Sequence, residues 1–327
     1  MPGAGRLAAD VTFPSAGLTL AGTVLRPADP TAGDSVDAAG GAGPAALILP
    51  GSGPIDRDGD HRRMPLGISR ALAESLADHG VASLRYDKRG TGSSEGEWLP
   101  TGLLDNVEDA RAALRFLAGQ PGVDPARIVV VGHSEGAILA GHLGADPGVA
   151  GLVLLSATGT PGKEMLAWQT RQVAGSLPRP VRALLRLLRI DVVERQARNV
   201  EKIEASTADV LRMDGARLNA RWHRELLASD PRVQLGATTV PVLAITGAKD
   251  LQVDPADLQR IAELVPGEVE TVLVPDLTHI LRRDEQPASL ARYKKLVRRP
   301  VDPEVLDRVA GWVLRTTQTG ATVADGS

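Results

Sequence analysis

The chain contains no cysteine. Disulfides, thiolate metal sites, iron–sulfur clusters and a cysteine nucleophile are excluded together, and a cytoplasmic location is expected. Aromatic residues make up only 2%, too few for the ring platforms that stack single-stranded nucleic acid. No stretch approaches the ~18 uncharged apolar residues of a membrane span. The opening MPGAGRLAADVTF lacks the apolar core of a secretory signal. Neither sign of charge dominates: Lys and Arg total 37 against 40 Asp and Glu, a formal charge of -3. Such a balance gives no overall pull towards nucleic acid or an anionic membrane. What is present is an ordinary globular composition, 43% hydrophobic and 24% charged over 327 residues. That suits one large α/β domain with an insertion, or two small domains.

Residues 11–13 and 18–25 read as strands of a hairpin turning at Ser15-Ala16-Gly17. Residues 31–44, TAGDSVDAAGGAGP, are small, polar and Gly-rich, and read as a mobile loop. A short unbroken apolar run lies at 45–49, and further strands are read at 81–86, 128–131, 151–155, 242–245 and 269–274. Such runs mark strands buried on both faces. Helical spacing lies between them: Leu72 and Leu76; Val107, Ala110, Leu114 and Leu117; residues 137–143; residues 255–264; and a last helix bearing Val305, Val309, Trp312 and Val313. The polar stretch from Thr316 onward reads as a frayed tail. Strands alternating with helices imply a mostly parallel sheet, here with an N-terminal antiparallel hairpin, helices on both faces, and ligands bound beyond the carboxyl ends of the strands.

One interval breaks the rhythm. About 85 residues separate the run ending at Leu155 from the one starting at Val242, far more than a crossover helix needs. Val181, Leu184, Leu185 and Leu188 have helical spacing there, punctuated by Arg182, Arg186 and Arg189. The reading is an inserted helical cap over residues 159–235, with a core of 1–158 and 236–327. The arginines fit a solvated face, with a membrane-surface helix as the lesser reading. Met165, Trp168, Trp222 and the 184–188 stretch are candidates for a pocket lining, against a simpler role in packing.

The run Ile128–Val131 leads into Gly132-His133-Ser134-Glu135-Gly136. This fits G-x-S-x-G in its required strand-then-helix setting. A serine on so sharp a turn projects clear of the sheet, and glycines two residues away remove Cβ atoms that would clash. Ser134 is the candidate nucleophile. The Glu135 amide, at the start of a helix, is a candidate oxyanion donor. Its carboxylate suits the helix dipole and has no further assignment.

A serine nucleophile needs a general base, normally imidazole. Of six histidines, His79 and His142 fall in helices, His223 falls in the cap, and the His133 ring is expected to point away from the serine. His279, on the loop after the 269–274 strand, is the candidate base, with His61 in reserve. The imidazole needs a carboxylate to orient it. Asp250 follows the 242–245 strand. Its competitor Asp254 precedes Pro255 and reads as a helix N-cap. The order Ser134, Asp250, His279 is that of α/β-hydrolases rather than of the other known serine triads. The second oxyanion donor is assigned to the Ser52 amide, in the Gly-rich turn after the 45–49 strand. Nearby Asp56, Asp58 and Asp60 imitate the start of a calcium loop. His61 stands where that loop needs glycine and Gly67 where it needs glutamate, so no metal is expected. Arg57 among these carboxylates fits a structural role.

Taken together, PGSGPIDRDGD, RYDKRGTGSSEG (residues 85–96), GHSEG, the 247–250 loop and THILRR resemble the α/β-hydrolase superfamily over residues 13–315. Within it they resemble a bacterial esterase branch that carries a G-S-G-P-x-D-R-D-G loop and goes by serine aminopeptidase-like or dienelactone-hydrolase-like labels. Pro50 departs from the histidine that often precedes the glycine in relatives. The resemblance implies a serine hydrolase of carboxylic esters with a cap over the site. Its triad would be Ser134, Asp250 and His279, its oxyanion amides Ser52 and Glu135, and residues 87–96 a structural turn. No cofactor is expected, and a small ester is the expected partner. Three rivals stand beside this reading: peptide or amide cleavage, carbon–carbon bond hydrolysis, and a catalytically silent binding module.

Overall fold

Runs rich in Val, Ile and Leu form the sheet, and the helically spaced segments cover it. The computed structural model describes residues 5–28, 42–62, 64–213 and 215–319. The chain opens with β1 (Arg6–Ser15) and β2 (Leu18–Pro27), then β3 (Gly43–Leu49), α1 (Ile68–Asp78), β4 (Ala82–Tyr86), α2 (Leu103–Ala118), β5 (Val123–His133), α3 (Glu135–Leu143) and β6 (Val149–Leu155). A long excursion follows: α4 (Gly162–Ser176), α5 (Arg179–Leu187), α6 (Val192–Glu204), the hairpin β7 (Val210–Met213) and β8 (Ala216–Asn219), α7 (Ala220–Ala228) and α8 (Pro231–Gly236). The chain rejoins the sheet as β9 (Val242–Gly247), α9 (Asp257–Leu264) and β10 (Val269–Val274), and finishes with α10 (Tyr293–Leu296) and α11 (Pro303–Thr319).

Eight strands form one sheet in the order β1-β2-β4-β3-β5-β6-β9-β10. β2 is antiparallel to both β1 and β4, and every later pairing is parallel. Side-chain alternation divides the core into two layers. Leu47, Leu49, Val130 and Leu152 pack with α2 and α3 on one face. Ala46, Ile48, Val129 and Val153 pack with α1 and α11 on the other. A parallel sheet so covered explains why its central strands β3, β5, β6 and β9 read as largely apolar runs.

Three expectations need correction. The excursion is not all helical: β7 and β8 pair as an antiparallel hairpin, with Met213 opposite Ala216. α9 begins at Asp257 because residues 255–256 form a separate turn, although Asp254 does accept the Ala256 amide at 3.0 Å. Residues 316–319 continue α11 instead of fraying. The rest of that tail, and residues 31–41 of the expected loop, lie outside the described residues, while Gly43 and Pro44 open β3.

Leu47 is fully buried in β3, between β4 and β5. Leu47→Ala should lower the unfolding free energy by about 2–5 kcal/mol in urea titration. A loss below ~1 kcal/mol would show that this layer repacks freely.

Candidate active site

Four strands end at one rim of the sheet and deliver the candidate residues there. β5 runs straight into Ser134, whose backbone sits at φ 56, ψ -115. A serine pays heavily for such a conformation, about 1–3 kcal/mol, so the surroundings must impose it. A Cβ on Gly132 would lie 2.1 Å from the Gly136 carbonyl oxygen, and one on Gly136 would lie 2.1 Å from that of Leu49. Only glycines allow this approach of α3 to the end of β3. The Ser134 amide donates to the Leu155 carbonyl at 2.9 Å, and the Ser134 carbonyl accepts the Ala137 amide at 2.9 Å.

The loop after β10 carries His279, and the loop after β9 carries Asp250. His279 Nε2 lies 3.0 Å from Ser134 Oγ, and His279 Nδ1 lies 2.8 Å from Asp250 Oδ2. The other Asp250 oxygen accepts the Gln252 and Val253 amides at 2.8 and 3.0 Å. Burial alone would raise the Asp250 pKa. The His279 charge and hydrogen bond, with the two amides, outweigh it and hold the carboxyl below its usual range. Asp254 instead caps its own turn and pairs with Arg260. His61 lines the same cavity as Ser134 and His279, but the serine's hydrogen bond goes to His279.

The Ser52 turn after β3 passes beside the serine: a Cβ on Gly51 would lie 3.6 Å from Ser134 Cβ. Glu135, as the first residue of α3, has no intrahelical acceptor for its N–H. Two cavities meet at Ser134. One, of about 340 Å³, is lined by His279, His61 and Tyr293 with apolar Met64, Leu66 and Ile280. The other, of about 70 Å³, is lined by Glu135, Ile138, Met165 and Trp222. Ser52 borders both. Trp168 lines a different cleft, without Ser134. Leu184, Leu187 and Leu188 are exposed, contrary to a pocket-lining role.

Several contributors were not identified from the sequence. The His133 ring does not point into solvent or core at random: its Nε2 donates to the His279 backbone carbonyl at 2.8 Å. Thr278 Oγ1 donates to the Arg282 carbonyl at 2.9 Å, and the buried Arg282 guanidinium donates to the Ile280 and Leu66 carbonyls. Burial lowers the Arg282 pKa to about 10. The Glu135 carboxylate, beyond suiting the helix dipole, accepts from Lys88 Nζ at 2.8 Å, Asn106 Nδ2 at 2.9 Å and Trp222 Nε1 at 3.1 Å. Lys88 thus gives the 87–96 turn a place at the site. The Asp56, Asp58 and Asp60 carboxylates are turned to neighbouring amides and to Arg70 and Arg85. Arg57 bridges Asp10 and Asp87.

Burial, and then the nearby His279 charge, lower the His133 pKa to about 3. The ring is therefore neutral and carries its proton on Nε2. An unfolded histidine takes up a proton near ~6.5, so between those values the unfolded state binds more protons and stability rises with pH. His133→Gln, which keeps a donor, should remove about 2–3 kcal/mol of the stability lost between about pH 6.5 and 4.5. Urea titrations at the two pH values check this; an unchanged acid limb would assign the loss to other groups.

The fold has known counterparts. A family model described as serine aminopeptidase, S33, matches residues 66–286. Esterase EstD of Thermotoga maritima is 26% identical over 275 residues, 83% of this chain and 62% of EstD, so the chain spans less than two thirds of that relative. Est1E of Butyrivibrio proteoclasticus, solved with bound ferulic acid, superposes with a TM-score of 0.60 at 18% identity, covering 93% of this chain and 99% of Est1E. A proline iminopeptidase of Mycobacterium smegmatis gives 0.61 at 15% identity, covering 95% and 100%. With that model covering most of its length on this sheet topology, the chain belongs to the serine aminopeptidase S33 family of α/β-hydrolases.

Proposed function

We propose that the protein is a serine hydrolase that cleaves carboxylic esters through an acyl-enzyme. The observation that carries the reading is the unbroken line from Ser134 Oγ to His279 to Asp250, at 3.0 and 2.8 Å. His279 Nε2 accepts the Ser134 proton as the hydroxyl oxygen attacks the ester carbonyl. Asp250, held ionised, fixes the proton on Nδ1 and stabilises the imidazolium that forms. The Ser52 and Glu135 amides donate to the oxyanion. His279 then returns its proton to the departing alkoxide, and water releases the acid by the reverse route. The leaving alcohol belongs in the 340 Å³ cavity, because that cavity includes His279. The acyl group belongs beside Glu135, beneath the excursion between β6 and β9, which acts as a cap over residues 159–235.

Esters are favoured over aminoacyl substrates by the charges on the walls. An aminopeptidase must hold a substrate ammonium, which calls for an available carboxylate. Among the described residues lining the cavities at Ser134, Glu135 is the one acid, and Lys88 neutralises it at 2.8 Å. The cavity at His279 is otherwise largely apolar, which suits a hydrophobic alcohol.

Wild-type protein should turn over p-nitrophenyl esters faster than aminoacyl anilides and react with a fluorophosphonate probe at one site. Ser134→Ala should lose the labelling and reduce kcat by about 10⁴–10⁶-fold. A fully active Ser134→Ala would move the nucleophile elsewhere, and an unlabelled, inactive wild type would favour a binding module.

A further inference from the structure

Helix α5 has no buried residue: Arg182 and Leu185 are half-buried and the rest are exposed. At 3.6 residues per turn, Val181 and Leu184 share one side of it and Arg182 and Arg186 another, with Leu188 and Arg189 just past its end. The apolar side meets no core: Leu184 is 54% and Leu187 79% exposed. Residues 165–190 contain five arginines and no acid. Among the described residues, Arg179, Arg182, Arg186 and Arg189 form no ion pair. The charge here opposes the net -3 of the chain.

From this we infer that α5 docks on an anionic lipid surface. A short helix with a basic side and a leucine side lies in the plane of such a surface, its leucines among the acyl chains and its arginines at the headgroups. A nine-residue helix is far too short to span a bilayer. A second copy of the chain is a poor occupant, since face-to-face pairing would bring the two arginine rows together without counter-charge. Helix α4 leads directly into α5 and supplies Met165 and Gln169 to the small cavity at Ser134. The docking surface is thus one helix away in sequence from the proposed acyl chamber.

The test is sedimentation of the full-length protein with phosphatidylcholine vesicles, with and without phosphatidylglycerol, at physiological salt. Binding is expected only with phosphatidylglycerol. Leu184→Ser/Leu187→Ser should weaken it at least about tenfold, and each Arg→Gln change at 182 or 186 roughly fivefold. These side chains are outside the site, so turnover of a water-soluble ester should be unchanged. Absence of binding to phosphatidylglycerol vesicles would overturn the inference, as would full binding by the leucine variant. A dimer in sedimentation velocity that the leucine variant dissolves would assign the face to a second copy and likewise overturn it.

A separate observation assigns a positioning role to Lys88, and it rests on the ester-hydrolase reading. Lys88 Nζ, buried, donates to the Gly51 carbonyl at 3.2 Å as well as to Glu135 at 2.8 Å. The Gly51–Ser52 peptide is planar and trans, so its N–H points opposite to its carbonyl. Lys88 holds the carbonyl from one side and thereby fixes the direction of the Ser52 amide. Through Glu135 it ties that donor to the second one. Lys88→Met should lower kcat about 10²–10³-fold with little change in KM. It should weaken a boronate transition-state analogue in parallel. Lys88→Met/Glu135→Gln removes the unpaired buried charge; stability should recover while the kcat loss persists. Recovery of kcat in the double variant would reduce Lys88 to a counter-ion and overturn the role. Failure of the ester-hydrolase reading would appear separately, as a wild type that no fluorophosphonate labels.

Discussion

The contact between the start of α3 and the end of β3 is the constraint on which the site depends. At Gly136 there is no room for a side-chain carbon beside the Leu49 carbonyl. Closing that gap forces Ser134 into a conformation that L-residues avoid. It also brings the first free amide of α3 alongside the turn carrying Ser52. Strain at the serine and proximity of the two amides therefore have one cause. The sheet supplies the restoring force: β5 is central and its residues 128–132 pair with β3 on one side and β6 on the other, so the strained residue hangs from an element that does not yield.

Around this contact, the segment after β4 distributes charge. Asp87 accepts from Arg57, Lys88 from its place beside Glu135 reaches Gly51, and Arg89 pairs with Asp109 at 2.7 Å. Three successive side chains thus fasten the 51–57 loop, α3 and α2 to one short turn. Buried ion pairs seldom add net stability over an apolar packing of equal volume, but losing one partner is costly. Their effect here is registry: a displacement of any one segment would strand a buried charge.

The sheet and the elbow were legible in the sequence because both depend on local patterns. Largely apolar runs of four to six residues marked the parallel strands, and Gly132-His133-Ser134-Glu135-Gly136 encoded a steric requirement within five positions. His279 and Asp250 were legible more indirectly, as the histidine and acid that follow strands. The network beyond them was not. His133 meets the His279 carbonyl across 146 positions, Lys88 meets Glu135 across 47, and Trp222 reaches Glu135 across 87. No periodicity encodes such pairings; they exist only once the strands are stacked in order. Among the described residues the β7–β8 hairpin failed for a different reason. Its strands are four residues each and half-exposed, so the alternation that would mark them has too few positions to register.

The excursion between β6 and β9 faces two environments, and each face has its own logic. Inward, Trp222 donates to Glu135 and Met165 lines the chamber at Ser134, so this region is continuous with the polar and apolar walls of the site. Outward, α5 presents Leu184 and Leu187, which remain exposed. A contiguous exposed apolar patch on a monomer is normally selected against, because it promotes association. Arginines interleaved with those leucines oppose pairing of like copies while favouring an anionic surface. The same helix pair, α4 and α5, therefore joins a wall of the cavity at Ser134 to an outward-facing surface with leucines and arginines side by side.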